Sequence, residues 1–546
     1  MSRLALCVLL LAACTDSSLG SRAVRNRGAY IPAACFARID GARGAHNPCY
    51  VCHAQGRAPN HVDERELQLR YDFPQLVAGR QIQNPWLNAW KDRRPEIARI
   101  SDAEVQAYVA RSNYARQGVN LLARALERLP SHWDENGNGR WDGYTPDAAF
   151  TFDAEGWDAA ADGGKSGWRA FRYAPLPGAF MPTNGSFDDV AIRLPVTFRA
   201  DASGNVRAEV YAINLAVVEA LIKREDVAIE PADERALGVD LDRDGQLGLA
   251  RLVRFAWRSG QPDSMQYVGA AGRLRREGRV GLAPGLYPQG TEFLHSVRYL
   301  SVDSAGGVRP APRMKELRYA RKHTYLTYAE LADRAQREDK EATLNPDRPE
   351  QFAGDTERGL SNALGWTYQG FIEDARGELR PQSHEETLAC MGCHGGLAVT
   401  TDASFAFARK LSDGPAHGYG DSASTYTGHG FGDTRGEYAR YLQLNATGDA
   451  FGANTEVRAR FFTAAGAPRS EAFARLALDA SSLLVPSRER ALALNKAYWS
   501  IVREQSFVHG RDAHVEPVDL AWREVQSGQA TGIREPVERA AALAAR

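Results

Sequence analysis

Apolar residues along this chain change period several times, and each change predicts an element. Leu4 to Ala13 is a short apolar run behind one arginine, too short to span a bilayer as a permanent helix. In "SDAEVQAYVARS", Ser101 and Glu104 are spaced as a capping box, which predicts a helix start. Leu122, Leu126 and Leu129 form a helical stripe that Pro130 stops. The stretch "DVAIRLPVTFRADASGNVRAEVYAINL" alternates like a hairpin with its turn at Ala202–Asn205, and "ARLVRFAWR" reads as a further strand. After Arg313 helices return. Leu494, Tyr498 and Ile501 line one face of the segment following Ser487, a stripe of the kind that packs into a core. The fold class predicted is mainly α with a mixed or β-rich middle region.

Length and charge narrow the function classes. The 546 residues are enough for two or three domains. Lys+Arg 67 against Asp+Glu 68 leaves no basic excess, which argues against nucleic acid or a broad membrane-binding face. The early apolar run ends in Leu11-Ala12-Ala13-Cys14, which resembles a bacterial lipobox. That resemblance implies that Cys14 is lipidated and attaches the protein to a membrane. Thr15 in place of Asp favours the outer membrane by the same resemblance. "TDSSLGSRAVRNRG" then reads as a polar tether.

The cysteines carry the candidate chemistry. Of seven, Cys7 leaves with the signal, Cys14 takes lipid, and four lie in "CYVCH" at 49–53 and "CMGCH" at 390–394. Only Cys35 remains, so an exported chain has no partners here for disulfides. Cys35 itself reads as a small hydrophobe. Two cysteines three apart reach both vinyl groups of a haem, and the adjacent histidine coordinates the iron. Cys49 and Cys52 would hold one haem with His53 below it, and Cys390 and Cys393 a second with His394. A redox dithiol should open a helix after a strand, and zinc should bring two Cys-x-x-Cys pairs close together; neither pattern is present.

The other axial position decides between electron transfer and chemistry at an open iron. Met391 lies inside its own string and cannot curl to the far side. Met181, in the loop "LPGAFMPTNG", and Met314, among the cations of "RMKELRYARKH", are the candidate methionine ligands. Core filling is the usual fate of such residues. "EQSFVHGRDAH" places His509, Arg511 and His514 together, a set that suits O–O bond cleavage on an open haem face.

Two acidic loops offer hard oxygens. "DENGNGRWDG" spaces Asp134, Asn136, Asn138 and Asp142 around Gly139, and "DLDRDGQLG" spaces Asp240, Asp242 and Asp244 before Gly245. Both resemble the first half of an EF-hand, which implies Ca²⁺. Both lack the twelfth-position glutamate, where Thr145 and Arg251 stand, so an acid from elsewhere must complete the shell. Surface Asx turns are the plainer alternative.

The two haem strings resemble those of c-type cytochromes, and with the calcium loops they are similar to bacterial dihaem peroxidases; rubber-cleaving dihaem oxygenases are a weaker match. The resemblance implies cytochrome c-like haem domains at both ends. The expected layout is a signal (1–13), a tether (14–30), a first haem domain (31–130), a middle region (131–310) and a second haem domain (311–546). The expected function is electron transfer at the outer membrane to an unidentified redox protein, with a dihaem peroxidase or oxygenase as the alternative.

Overall fold

The structure is a computed structural model, and it describes residues 24, 26, 28–41, 44–47, 82–153, 155–160, 163–170, 185–261, 264–345, 348, 351–396, 402–404, 436–445, 451–526 and 529. Its centre is a nine-stranded antiparallel sheet. The strands are β1 (Trp157–Ala159), β2 (Lys165–Ala170), β3 (Phe187–Arg193), β6 (Glu292–Val302), β7 (Val308–Lys322), β8 (Ala353–Asp355), β9 (Gly359–Ser361), β10 (Trp366–Glu373) and β11 (Leu379–Pro381). Their spatial order is β8-β9-β10-β7-β6-β3-β2-β1, with β11 sharing the outer edge of β10. A separate ribbon pairs β4 (Val227–Asp233) with β5 (Leu249–Val253).

This sheet corrects the mainly α expectation, and its strands run without a break across position 310. The predicted hairpin is half right. Its first arm is β3 and its turn forms, with Gly204 donating to the Asp201 carbonyl at 3.0 Å. Its second arm is a helix, α3 (Ala208–Lys223), because nearly every side chain from Val210 to Ile222 is buried and the apolar run is too long for one strand. "LARLV" does form the strand β5. After Arg313 the chain first completes β7, which reaches Lys322; helices return at Tyr328–Leu344 and, after β8 to β11, from His384 onward.

The two faces of the sheet do different work. Ala191, Leu294, Leu317 and Phe371 face Leu122, Leu126, Trp133 and Trp168. Leu122 and Leu126 belong to α2 (Leu121–Glu127), which ends before Pro130 as its stripe predicts. The opposite face packs Val190, Ile192, Phe293 and Tyr368 against α3 and against Leu388 and Met391 of α4 (His384–His394). Farther along the same face, Leu494, Tyr498 and Ile501 of α5 (Arg488–Glu504) are all buried, as their spacing predicts. The helix α1 (Asp102–Val109) joins them, opened by the predicted capping box of Ser101 and Glu104.

Two asparagines explain an irregularity in the long β6–β7 hairpin, where the register shifts near Arg298. Asn113 exchanges two 2.9 Å hydrogen bonds with the backbone of Met314. Asn495 does the same at Leu300, at 3.1 and 2.7 Å. Each side chain replaces the ladder partner that the bulge removes. The bulge also turns Met314 toward the Leu317 face, where it is fully buried beside Trp133 and Trp168.

Candidate functional site

The second cysteine string ends a helix built for it. Ser383 caps α4 and exchanges hydrogen bonds with Glu386 in a capping box. At 100° per residue, Cys390, Cys393 and His394 fall on one side of α4, and Met391 turns into the core, where it is 2 % exposed. Gly392 is a packing choice: a Cβ there would lie 2.6 Å from the Tyr30 carbonyl oxygen. The packing demands of the string are thus met by Met391 and Gly392. The two thiols and the imidazole are half-buried.

His394 is oriented from below. Its Nδ1 lies 2.9 Å from the Ala403 carbonyl oxygen. A carbonyl only accepts, so Nδ1 carries the proton and Nε2 keeps its lone pair. Burial lowers the His394 pKa to about 4, against a smaller opposite pull from the Ala403 bond, so the ring is neutral near pH 7. That is the tautomer of a metal-ligating histidine. Tyr368 donates to the same carbonyl at 2.6 Å, and its ring lies 4.9 Å from the imidazole. Ala403 and the preceding Asp402 both have positive φ, 55° and 50°, a backbone state that costs non-glycine residues roughly 1–3 kcal/mol each.

Next to α4 the apolar sheet face is interrupted by a polar belt. His295 on β6 pairs in register with Arg318 on β7, and Arg318 with Gly370 on β10. Glu316, two residues from Arg318, accepts from Arg318 Nε at 3.0 Å, Arg511 Nη1 at 2.9 Å and Gln382 Nε2 at 3.1 Å. Burial pushes the Glu316 carboxyl up, but the Arg318 and Arg511 guanidiniums outweigh it and hold the pKa down at about 2. Arg511 also donates to the Glu386 carbonyl of α4 and lies within electrostatic reach of Cys390.

The polar groups of this wall have bonding capacity left over. Arg511 Nε, Gln382 Oε1 and Tyr498 Oη are buried without a hydrogen-bond partner among the described residues. Two thiols and an imidazole on one side of α4, with the imidazole Nδ1 held by the Ala403 carbonyl, are the donor set that the vinyl groups and iron of a haem take. The residues around 390–394 fit the group. Cys49, Cys52, His53 and Met181 lie outside the described residues. Met314 cannot serve His394, because it is buried on the opposite face of the sheet. Of the His509–Arg511–His514 set only Arg511 reaches the belt; His514 is buried against the edge of the Phe451 ring at 5.8 Å. Cys35 packs with Tyr30, Ile31 and Trp86, as expected of a small hydrophobe.

Both acidic loops close as their sequence predicts. Asp134 accepts from Asn138 and Gly139, and Asp240 accepts from Gly245 at 3.1 Å. In each, a buried glutamate outside the loop accepts the same three backbone amides. Glu357 takes those of Glu135, Asn136 and Asp142. Glu234 takes those of Leu241, Asp242 and Gly248. Glu234, Asp240 and Asp242 each offer an oxygen within 4.8 Å of the others, and Asp240 Oδ1 is buried with no hydrogen-bond partner among the described residues. The first loop fits a cation less well, because Arg140 and Arg358 already pair with Asp142 at 2.9 Å each. Asp244 and Asn138 hold loop backbone, donated by Gln246 at 2.7 Å and Arg140 at 2.9 Å, and Asn136 does the same for Asn138.

With this architecture in view, the class follows from comparison. The chain matches the model of a lipoprotein family over residues 21–480, and it belongs to that family. It is 28% identical to an uncharacterized lipoprotein of Aquifex aeolicus (strain VF5), over 90% of this chain and 86% of the relative. No solved structure matches. These findings overturn the resemblance to c-type cytochromes and dihaem peroxidases as families: the match is to lipoproteins, and α4 rides on a large antiparallel sheet instead of a small helical haem domain. The protein is thus a membrane lipoprotein. Among the described residues no helix is long and apolar enough to cross a membrane.

Proposed function

We propose that this lipoprotein carries electrons at the outer membrane through covalently attached haem, on a sheet-based scaffold of its own. One observation carries the reading: Cys390, Cys393 and His394 share one side of α4, with His394 held in the ligating tautomer by Ala403. Thioether attachment needs only the local string, so it does not require a cytochrome fold. Haem, when bound, supplies a one-electron couple. Cys390 and Cys393 would fix its vinyl edge, and His394 would ligate the iron. Cys49, Cys52 and His53 repeat the string and give the same reading for a second haem. The lipid on Cys14 is the proposed anchor in the outer membrane, and a redox protein is the proposed partner. Potentiometric titration of the full chain, followed by visible absorption, tests this. Reversible one-electron couples with no turnover of peroxide are expected. Rapid peroxide consumption at a high-spin haem would replace the carrier with an enzyme.

A second reading is favoured by the convergence of Glu234, Asp240 and Asp242: the second loop binds Ca²⁺, with Glu234 standing in for the missing twelfth-position acid. A ligand that binds only the folded state stabilises it. Chelation should lower Tm, and Asp242→Ala should remove most of that response. Identical melting curves with and without chelator, and no calcium by elemental analysis, would refute it.

A further inference from the structure

The turn that presents Ala403 to His394 is held by a buried charge pair that plays no part in the sheet ladder. Lys322 and Asp402 are each 1% exposed and form an ion pair. Asp402 Oδ2 also accepts from the Tyr287 backbone amide at 2.8 Å. The ring of Trp366 lies 5.8 Å from the Lys322 ammonium, and that of Tyr325 5.2 Å. Lys322 ends the long strand β7, so the charge is fixed to the most extensively paired part of the sheet. A buried ion pair contributes little net stability, whereas an unpaired buried charge is costly, so such a pair specifies position more than it strengthens the fold. Here the position it specifies is that of two consecutive left-handed residues, Asp402 and Ala403. Their conformation turns the Ala403 carbonyl toward both His394 Nδ1 and the Tyr368 hydroxyl.

We infer that Lys322 and Asp402 are positioning residues for His394: the pair holds the Ala403 carbonyl in place, and through it sets the tautomer and ligand strength of the imidazole. The inference rests on the haem reading for its ligand but makes a claim about the ring that stands with or without haem. Partners of this kind typically change metal affinity 10–100-fold when removed.

The test uses the full chain in two preparations. In haem-loaded protein, D402N should leave the haem at 390–394 covalently attached, as counted by mass, and should weaken His394 ligation. The readouts are a shifted midpoint potential and displacement of the imidazole at roughly tenfold or more lower cyanide. D402N leaves Lys322 unpaired, so K322M/D402N, which removes both charges, guards against simple misfolding; it should fold and show the same shift. In haem-free protein with ¹⁵N-labelled histidine, the Nδ1–H signal of His394, assigned by its loss in H394Q, should be present in the wild type and lost or exchange-broadened in both variants. An unchanged Nδ1–H signal in D402N and K322M/D402N overturns the inference. A wild type without haem but with a variant-sensitive Nδ1–H signal overturns the haem reading and leaves the positioning role supported.

Discussion

Glu373 shows how single residues here trade burial against partners. It is fully buried and accepts from Tyr108, Tyr299 and Arg313, each at 2.6 Å. Burial raises its pKa to about 6 from 4.5, and Arg313 and the tyrosines only partly offset that. The folded state therefore binds this proton more tightly than the unfolded chain does. Stability should rise as pH falls from above 6 to below 4.5, by about 2 kcal/mol in all at ~1.4 kcal/mol per pKa unit. Glu316 acts in the opposite sense: its pKa is depressed to about 2, so its contribution is lost as pH falls below 4.5. Chemical denaturation between pH 7 and 4.5 should show the first slope in the wild type, and E373Q should flatten it. An equal slope in both proteins would contradict the assignment. Residue-level legibility was uneven for a physical reason. Glu234 lies six positions before Asp240, close enough to be sought once Arg251 was seen to break the EF-hand pattern. Glu357 reaches the first loop from over two hundred residues away, and no local pattern announces it.

At the scale of elements, local signals were read well where one residue type does one job. Ser101 with Glu104 caps a helix as its spacing requires, and the Leu494–Tyr498–Ile501 stripe is buried along its length. Leu494 is fully buried, and its Cβ would lie 2.8 Å from a Cβ placed on Gly185. Leu494→Ala should therefore cost about 2–5 kcal/mol, measured by denaturant unfolding, with the slope m unchanged. A cost under 1 kcal/mol would mean that α5 is not seated on the sheet as described. The misreadings came from elements that mix signals. α3 is rich in β-branched Val and Ile and follows a true turn, so a strand pattern was read into a buried helix. β6 and β7 hide their alternation because His295, Glu316 and Arg318 put polar residues on a core-facing side. Register and bulges set by Asn113, in the bend after α1, and Asn495, on α5, depend on distant segments and leave no period in the sequence.

Across the whole molecule, the sheet gathers α4, the polar belt and Lys322 into one place from segments spread over the chain. The family match supplies the membrane lipoprotein class, and Cys14 is the residue through which attachment should act. Cys14→Ala should move the protein from the membrane fraction to the soluble fraction of the cell envelope, with its melting curve unchanged. Persistent membrane association of that variant would point to a different anchor. The two Cys-x-x-Cys-His strings stand out in the sequence because thioether chemistry would fix residue type and spacing within five positions. The fold around them does not, because the same five residues can end a helix on any scaffold. The central claim is that this scaffold holds haem covalently, and intact-mass analysis of denatured full-length protein made with haem-maturation machinery tests it most directly. The account predicts two haems per chain, one of which is lost when Cys390 and Cys393 are replaced by serine. A wild-type mass with no haem on the peptide containing residues 390–394 would contradict it.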